Sequence, residues 1–155
     1  MSELREESME LTGPEKDRVI QLFPSGVVCL DLETTGLSPM IDSIIEIAAV
    51  KVTSEGESHF SELVNPGIMI PEYTIGIHGI TDEMVAESRD VEEVMRDFLE
   101  FCGDLPMVAH NARFDLGYLV FDMHCHELKF PKSPVYCTCL MSRQVFKEMP
   151  NHKLA

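Results

Sequence analysis

Positive charge is scarce in this sequence. Lys and Arg number 12 against 27 Asp and Glu, a formal net charge of −15 over 155 residues. That balance argues against a surface built to grip long duplexes, because a phosphate backbone is repelled by it at long range. Long apolar runs are missing too: nothing approaches the ~20 residues needed to cross a bilayer. The N-terminal "MSELREESMELTGPEKDR" carries charge where a secretion signal has its apolar core, so the expectation is a cytoplasmic protein with no membrane partner. Five cysteines is an odd number, which disfavours a complete disulfide framework and fits reduced thiols. Internal repeats, low-complexity tracts and clear linkers are absent.

What remains is ordinary globular material. Apolar residues make up 45% of the chain and charged residues 25%, and the length suits one domain with one core. The charge is uneven. Residues 129–155 hold Lys129, Lys132, Arg143, Lys147 and Lys153 against Glu148 alone, a net of +4 that leaves −19 on residues 1–128. Such a split is more commonly a solvated surface than a dedicated binding face.

Residues 1–24 read as an acidic lead followed by a short helix in "GPEKDRVIQLF". After Pro24-Ser25-Gly26, the run Val27–Leu30 is apolar at every position, as in a strand covered on both faces. "SIIEIAAVKVT", a turn at "SEGE" and "SHFSELVNPG" continue a β-meander. Residues 68–80 mix Pro, Gly and Ile without a period and read as a surface loop. Thr81-Asp82-Glu83 is a helix start, and Asp90 with Glu93 is a clearer one. Behind it Val91, Val94, Met95, Phe98, Leu99 and Cys102 fall at helical spacing, with Gly103 as the stop. "PMVAHN" reads as a strand, "ARFDLGYLVFDMHCHEL" as a helix apolar on most sides, and "SPVYCTCLM" as a last strand. The order implies an α/β fold: a mixed sheet with helices packed on it.

Within "CLDLETTGL", residues 29–37, the alternation of a strand puts Cys29, Asp31 and Glu33 on one face and Val28, Leu30 and Leu32 on the other. The two acids then stand about 6.5–7 Å apart along the strand. Two like charges at the tip of a core strand are costly to ionise unless a cation compensates, and Mg²⁺ or Mn²⁺ with oxygen ligands meets that need. The plainer alternative is a strand that has already reached solvent at Asp31.

"DLETTGLSP" resembles the first motif of the DnaQ-like 3′-to-5′ exonucleases. The likeness continues in order through "IIEIAAVKV", "IHGIT" and "AHNARFDLGYL", which resembles the second motif, so it runs from residue 27 to 121. It implies an RNase H-like fold with a five-stranded mixed sheet, antiparallel meander plus parallel strands, over residues 25–155. It also implies two-metal hydrolysis that releases nucleoside 5′-monophosphates from the 3′ end of single-stranded DNA or RNA. By resemblance Asp31 bridges both metals, Glu33 binds the first, and Asp115 holds the second directly or through water. The backbone at Thr34 and Thr35 lies where the 3′ end rests, and Tyr73 and His78 belong to the part that touches the terminal nucleotide. His110 and Asn111 orient the Asp115 turn, with Asn111 counted among the substrate-binding candidates. Glu46 reads as a structural ion-pair residue. The acidic balance favours short single strands or a polymerase or other protein that delivers the 3′ end.

The pattern breaks at the third motif, which in this family supplies a base histidine and, five residues later, an aspartate. The sequence ends at "MPNHKLA", in what resembles the helix before that motif, and His152 has only three residues after it. The expectation is a domain without its last helices and an impaired nuclease, since a general base contributes roughly 10² to 10⁴ in rate. The rival reading is a non-catalytic module that holds a 3′ end or a partner protein. Cys137 stands where many members carry aspartate. "HCH" at 124–126 and "CTC" at 137–139 fit no usual zinc spacing, although Cys137 and Cys139 would share a strand face.

Overall fold

A computed structural model describes residues 11–154, so the acidic lead at residues 1–10 lies outside the described residues. The chain runs α1 (Gly13–Leu22), β1 (Val27–Thr34), β2 (Ile44–Thr53), β3 (Gly56–Leu63), α2 (Glu72–His78), α3 (Asp82–Val85), α4 (Val91–Cys102), β4 (Met107–Ala109), α5 (Ala112–Cys125), β5 (Val135–Cys137) and α6 (Thr138–Val145). One five-stranded sheet has the order β3-β2-β1-β4-β5. β1, β2 and β3 pair antiparallel, while β4 joins β1 in parallel and β5 joins β4 in parallel. Both parallel joins are crossovers through helices, and the mixed sheet follows from a meander feeding them.

The strand that carries the acids is central, and its two faces differ. Val28, Leu30 and Leu32 are buried against Phe98 and Met95 of α4 and Tyr118, Leu119 and Met123 of α5. From Cys29 onward the opposite face opens: Cys29 and Asp31 are exposed and Glu33 is half-buried. The expectation of a strand covered on both faces therefore holds only at Val27 and Val28; Phe23, just after α1, packs edge-on against Tyr136 of β5.

α4 is where its apolar period places it, and Asp90 caps it by accepting the Glu93 amide at 3.0 Å. Removing such a cap costs about 0.5–2 kcal/mol. Two elements differ from the sequence reading. Residues 68–80 are not all loop, since Glu72–His78 forms α2. Seven residues are too few to display a helical period, yet Pro71 supplies the pre-set N-cap φ of −63° and Gly79 the left-handed C-cap at φ 75°. A small cluster of Ile45, Ile70, Ile80 and Val85 pins this segment beside the sheet. The other difference is at "SPVYCTCLM": the strand is only Val135–Cys137, and Thr138 begins α6. Cys137 and Cys139 accordingly share no strand face, because Cys139 is on the helix and buried. No helix among the described residues is long and apolar enough to cross a membrane.

Candidate active site

β1 delivers Asp31 and Glu33 to its open face, and α5 delivers Asp115 to the same place. Asp115 Oδ1 accepts the amide of Leu32 at 3.2 Å, which seats the helix carboxylate against the strand between the two acids. Of the three, Asp115 is the buried one, 3% exposed. Burial pushes its carboxyl up to about 7, the charges of Asp31 and Glu33 push the same way, and its own amide and that of Leu32 oppose them. Asp31 is exposed as a residue, yet desolvation of its carboxyl still raises it above its ordinary value, against the Leu32 amide and the charge of His110. A pocket of mutually destabilised carboxylates attracts a cation.

The register adds an acid that sequence reasoning set aside. Glu46 of β2 lies directly across from Glu33, so the two side chains share one face of the sheet. Only the strand pairing could reveal that.

The turn from β4 into α5 sets the angle at which Asp115 approaches. Asn111 is the N-cap of α5 in the left-handed conformation, φ 64° and ψ 47°, a conformation asparagine tolerates better than most residues. Next to it the His110 Nε2–H donates to the His152 carbonyl at 2.6 Å, and its Nδ1 meets the Thr138 hydroxyl at 2.9 Å. Both ring nitrogens are thus engaged in tying β4 to α6 and to the turn that follows it, where Ser142 Oγ meets His152 Nδ1 at 2.8 Å. Cys137, the N-cap of α6, joins the same junction. Burial pushes its thiol up, but the amides of Leu140, Ala112, Asn111 and Cys139 outweigh that and leave it below its ordinary value.

A slot of about 220 Å³ opens beside Glu33. Thr34, Tyr73 and His78 line it, together with Leu37, Ile77 and Phe114. Three of the substrate-binding candidates therefore meet there. Thr35 does not: it is fully buried, with its hydroxyl accepting the Ser43 amide at 2.9 Å. Asn111 lines a neighbouring groove instead. His78 Nδ1 accepts the Ile80 amide at 3.0 Å, which puts the proton of the neutral ring on Nε2. Leu37, Ile77 and Phe114 were missed by sequence reasoning. Leu37 had a signal, an apolar residue straight after a turn glycine, and it is 84% exposed.

The loop that presents Leu37 is held from three sides. The Tyr118 hydroxyl donates to the Gly36 carbonyl at 2.8 Å, and the Thr34 hydroxyl to the same oxygen at 2.7 Å. Asp42 folds against Gly36 and accepts the Ser38 amide at 2.9 Å. A Cβ at Gly36 would run into the Asp42 carboxylate.

Carboxylate oxygens on one rigid strand and one helix suit a hard divalent ion. Among the described residues, however, no group of three His, Cys, Asp or Glu side chains is arranged to hold a metal ion. Carboxylate oxygens remain the donor type that Mg²⁺ accepts, an ion usually held by one or two carboxylates with water and substrate phosphate completing its shell.

A mixed α/β sheet with acids from its central strand and from a crossing helix defines a class, the RNase H-like nuclease domains. The comparisons narrow it: an exonuclease family model, RNase T, matches residues 28–155, and the chain belongs to that family. The PolC-type DNA polymerase III of Bacillus subtilis is 44% identical over 130 residues, 82% of this chain and 9% of that protein. The PolC-type enzyme of Oceanobacillus iheyensis is 36% identical over 152 residues, 97% of this chain and 10% of that protein. The chain thus spans about a tenth of the length of these relatives. Exonuclease X, solved in complex with 5′ overhanging duplex DNA, superposes with a TM-score of 0.63 at 30% identity, covering 79% of this chain and 66% of that one. Exonuclease I shares the fold, with a TM-score of 0.71 at 16% identity over 81% of this chain and 32% of that one.

Proposed function

We propose that this domain is a divalent-metal-dependent 3′-to-5′ exonuclease that takes the 3′ end of single-stranded DNA or RNA and releases nucleoside 5′-monophosphates. The observation that supports it is the Leu32 amide to Asp115 bond, which brings a third carboxylate onto the strand bearing Asp31 and Glu33. Asp31, Glu33 and Asp115 would hold Mg²⁺ or Mn²⁺. When bound, such an ion polarises the scissile phosphodiester and offsets charge on the leaving oxygen. The chain's own residues do the positioning. The slot takes the terminal nucleotide, with Leu37, Ile77 and Phe114 against its base and the His78 Nε2–H and Tyr73 as polar contacts. Thr34 and Thr35 act through the backbone, since Thr35 is sealed beneath the loop. A polymerase or similar protein would deliver the strand, in keeping with the PolC relatives.

A second reading, a module that holds a 3′ end or a partner protein without cutting it, draws on His110. Both of its nitrogens are occupied, so it is in no position to deprotonate water. One experiment separates the two: 5′-labelled single-stranded DNA and RNA with Mg²⁺, with and without EDTA. A ladder that EDTA abolishes supports the exonuclease. Retention of the strand without shortening supports the binding module.

A further inference from the structure

Residues 27–128 contain only four Lys or Arg side chains: Lys51, Arg89, Arg96 and Arg113. Three are used internally. Lys51 donates to the Phe101 carbonyl at 2.8 Å and lies over the Phe101 ring. Arg89 bridges Asp97 and Glu62, and Arg96 pairs with Glu92 one helical turn away. Arg113 is exposed on the first turn of α5 and makes no hydrogen bond or ion pair with any described residue.

Its location is informative. Arg113 lines a groove of about 280 Å³ with Leu37, Pro39, Phe114 and Gly117. Leu37 and Phe114 also line the slot beside Glu33, so the two depressions share a wall. A strand whose terminal nucleotide fills the slot can lay its next nucleotide across that wall into the groove. There it meets an apolar floor and a single guanidinium, in a region otherwise dominated by acids. An unengaged Arg at such a place matches a phosphodiester, which it can grip bidentately.

Resting on the function proposed above, we infer that this groove is the subsite for the penultimate nucleotide, and that Arg113 binds the phosphate on its 5′ side. The site then measures strand length: a mononucleotide occupies the slot alone, and the contact with Arg113 begins at a 5′-phosphorylated dinucleotide. Phosphate is common to DNA and RNA, so the contact by itself is blind to the sugar.

The test uses the chain as it stands, in Mg²⁺, with dTMP, dTpdT and pdTpdT carrying a cleavage-resistant phosphorothioate link, read by calorimetry or competition anisotropy. Wild type should prefer pdTpdT over dTpdT by on the order of tenfold. In Arg113→Gln that ratio should fall to about two or less, and Arg113→Lys should recover part of it as a point charge. The salt slope for pdTpdT should drop by about 0.7 in the Gln variant, the loss of one single-strand phosphate contact. Ribonucleotide counterparts run in parallel show which sugar the groove takes. If dTMP binds and the pdTpdT to dTpdT ratio is the same in wild type and Arg113→Gln, the Arg113 assignment is wrong while the slot survives. If none of the three ligands binds, the active-site reading fails and takes this inference with it.

Discussion

The two faces of β1 are made by alternate residues of one eight-residue strand, and they follow different rules. Val28, Leu30 and Leu32 lie in the core against α4 and α5, where any apolar side chain of suitable volume serves. Cys29, Asp31 and Glu33 lie on the open face, where volume matters little and charge matters a great deal. A strand's period of two lets one segment carry both a packing surface and a reactive surface, each held in register by the other. Asp115 belongs to neither class cleanly. It is a charged group placed at core depth, and its raised pKa is the cost of bringing a helix carboxylate up to the strand.

The sharpest way to break this contrast is to remove the open-face acids. Asp31→Ala with Glu33→Ala should lower divalent-metal affinity by at least the roughly 10- to 100-fold typical of losing a metal's outer-shell partner. The Mg²⁺- or Mn²⁺-induced rise in Tm should vanish, while the metal-free Tm is maintained. A wild-type Tm that ignores both ions would remove the basis for the metal site. Next, the packed face should respond in the opposite way. Leu30→Ala should cost about 2–5 kcal/mol by urea unfolding, and Cys29→Ser, one residue away, less than about 1 kcal/mol. Equal costs would mean that the two faces are not distinct.

Asp115 tests the boundary between them. Its carboxyl is raised from 3.8 to about 7 in the folded chain, so between those values the folded state holds a proton that the unfolded state has released. The Asp115 contribution to stability is therefore greatest below pH 4, is lost as pH rises through about 7, and is lowest above it. Asp115→Asn keeps the oxygen that accepts the Leu32 amide and removes the charge. Relative to wild type it should gain a few kcal/mol at pH 8 and nothing at pH 4. Urea midpoints across that range check the sign, and a parallel pH dependence in both proteins would contradict it. The smallest expected effect is at Tyr118→Phe, which removes one of the two hydroxyls that donate to the Gly36 carbonyl, at a cost of about 1 kcal/mol. Because the loop bearing Leu37 loosens, nucleotide affinity should fall more than stability does.

α4 was legible from its letters because twelve residues repeat an apolar period and both ends carry capping signals. α2 was not, since seven residues spanning Pro71 to Gly79 show punctuation rather than period. α6 reads as strand because "YCTCLM" is apolar and β-prone, and no local signal separates a longer strand from a helix that begins directly after a short one. In the site, Asp31 and Glu33 could be paired from alternation alone. The reading of Thr35 concerns its backbone, and its side chain is buried; Leu37 and Phe114 go unread because apolar residues near a turn look like packing.

Taken by itself, the order of residues determined the element types where a period was long enough, the alternation of β1, and the family through its motifs, because these are properties of neighbours in the chain. Tertiary structure alone decided that Asp115 reaches Leu32 across 83 residues, that Glu46 faces Glu33, that one face of the central strand stays open, and that Arg113 borders the slot. Each of these depends on strand register and on the docking of α5, which are set by how the whole core packs, and no short window of sequence contains that information.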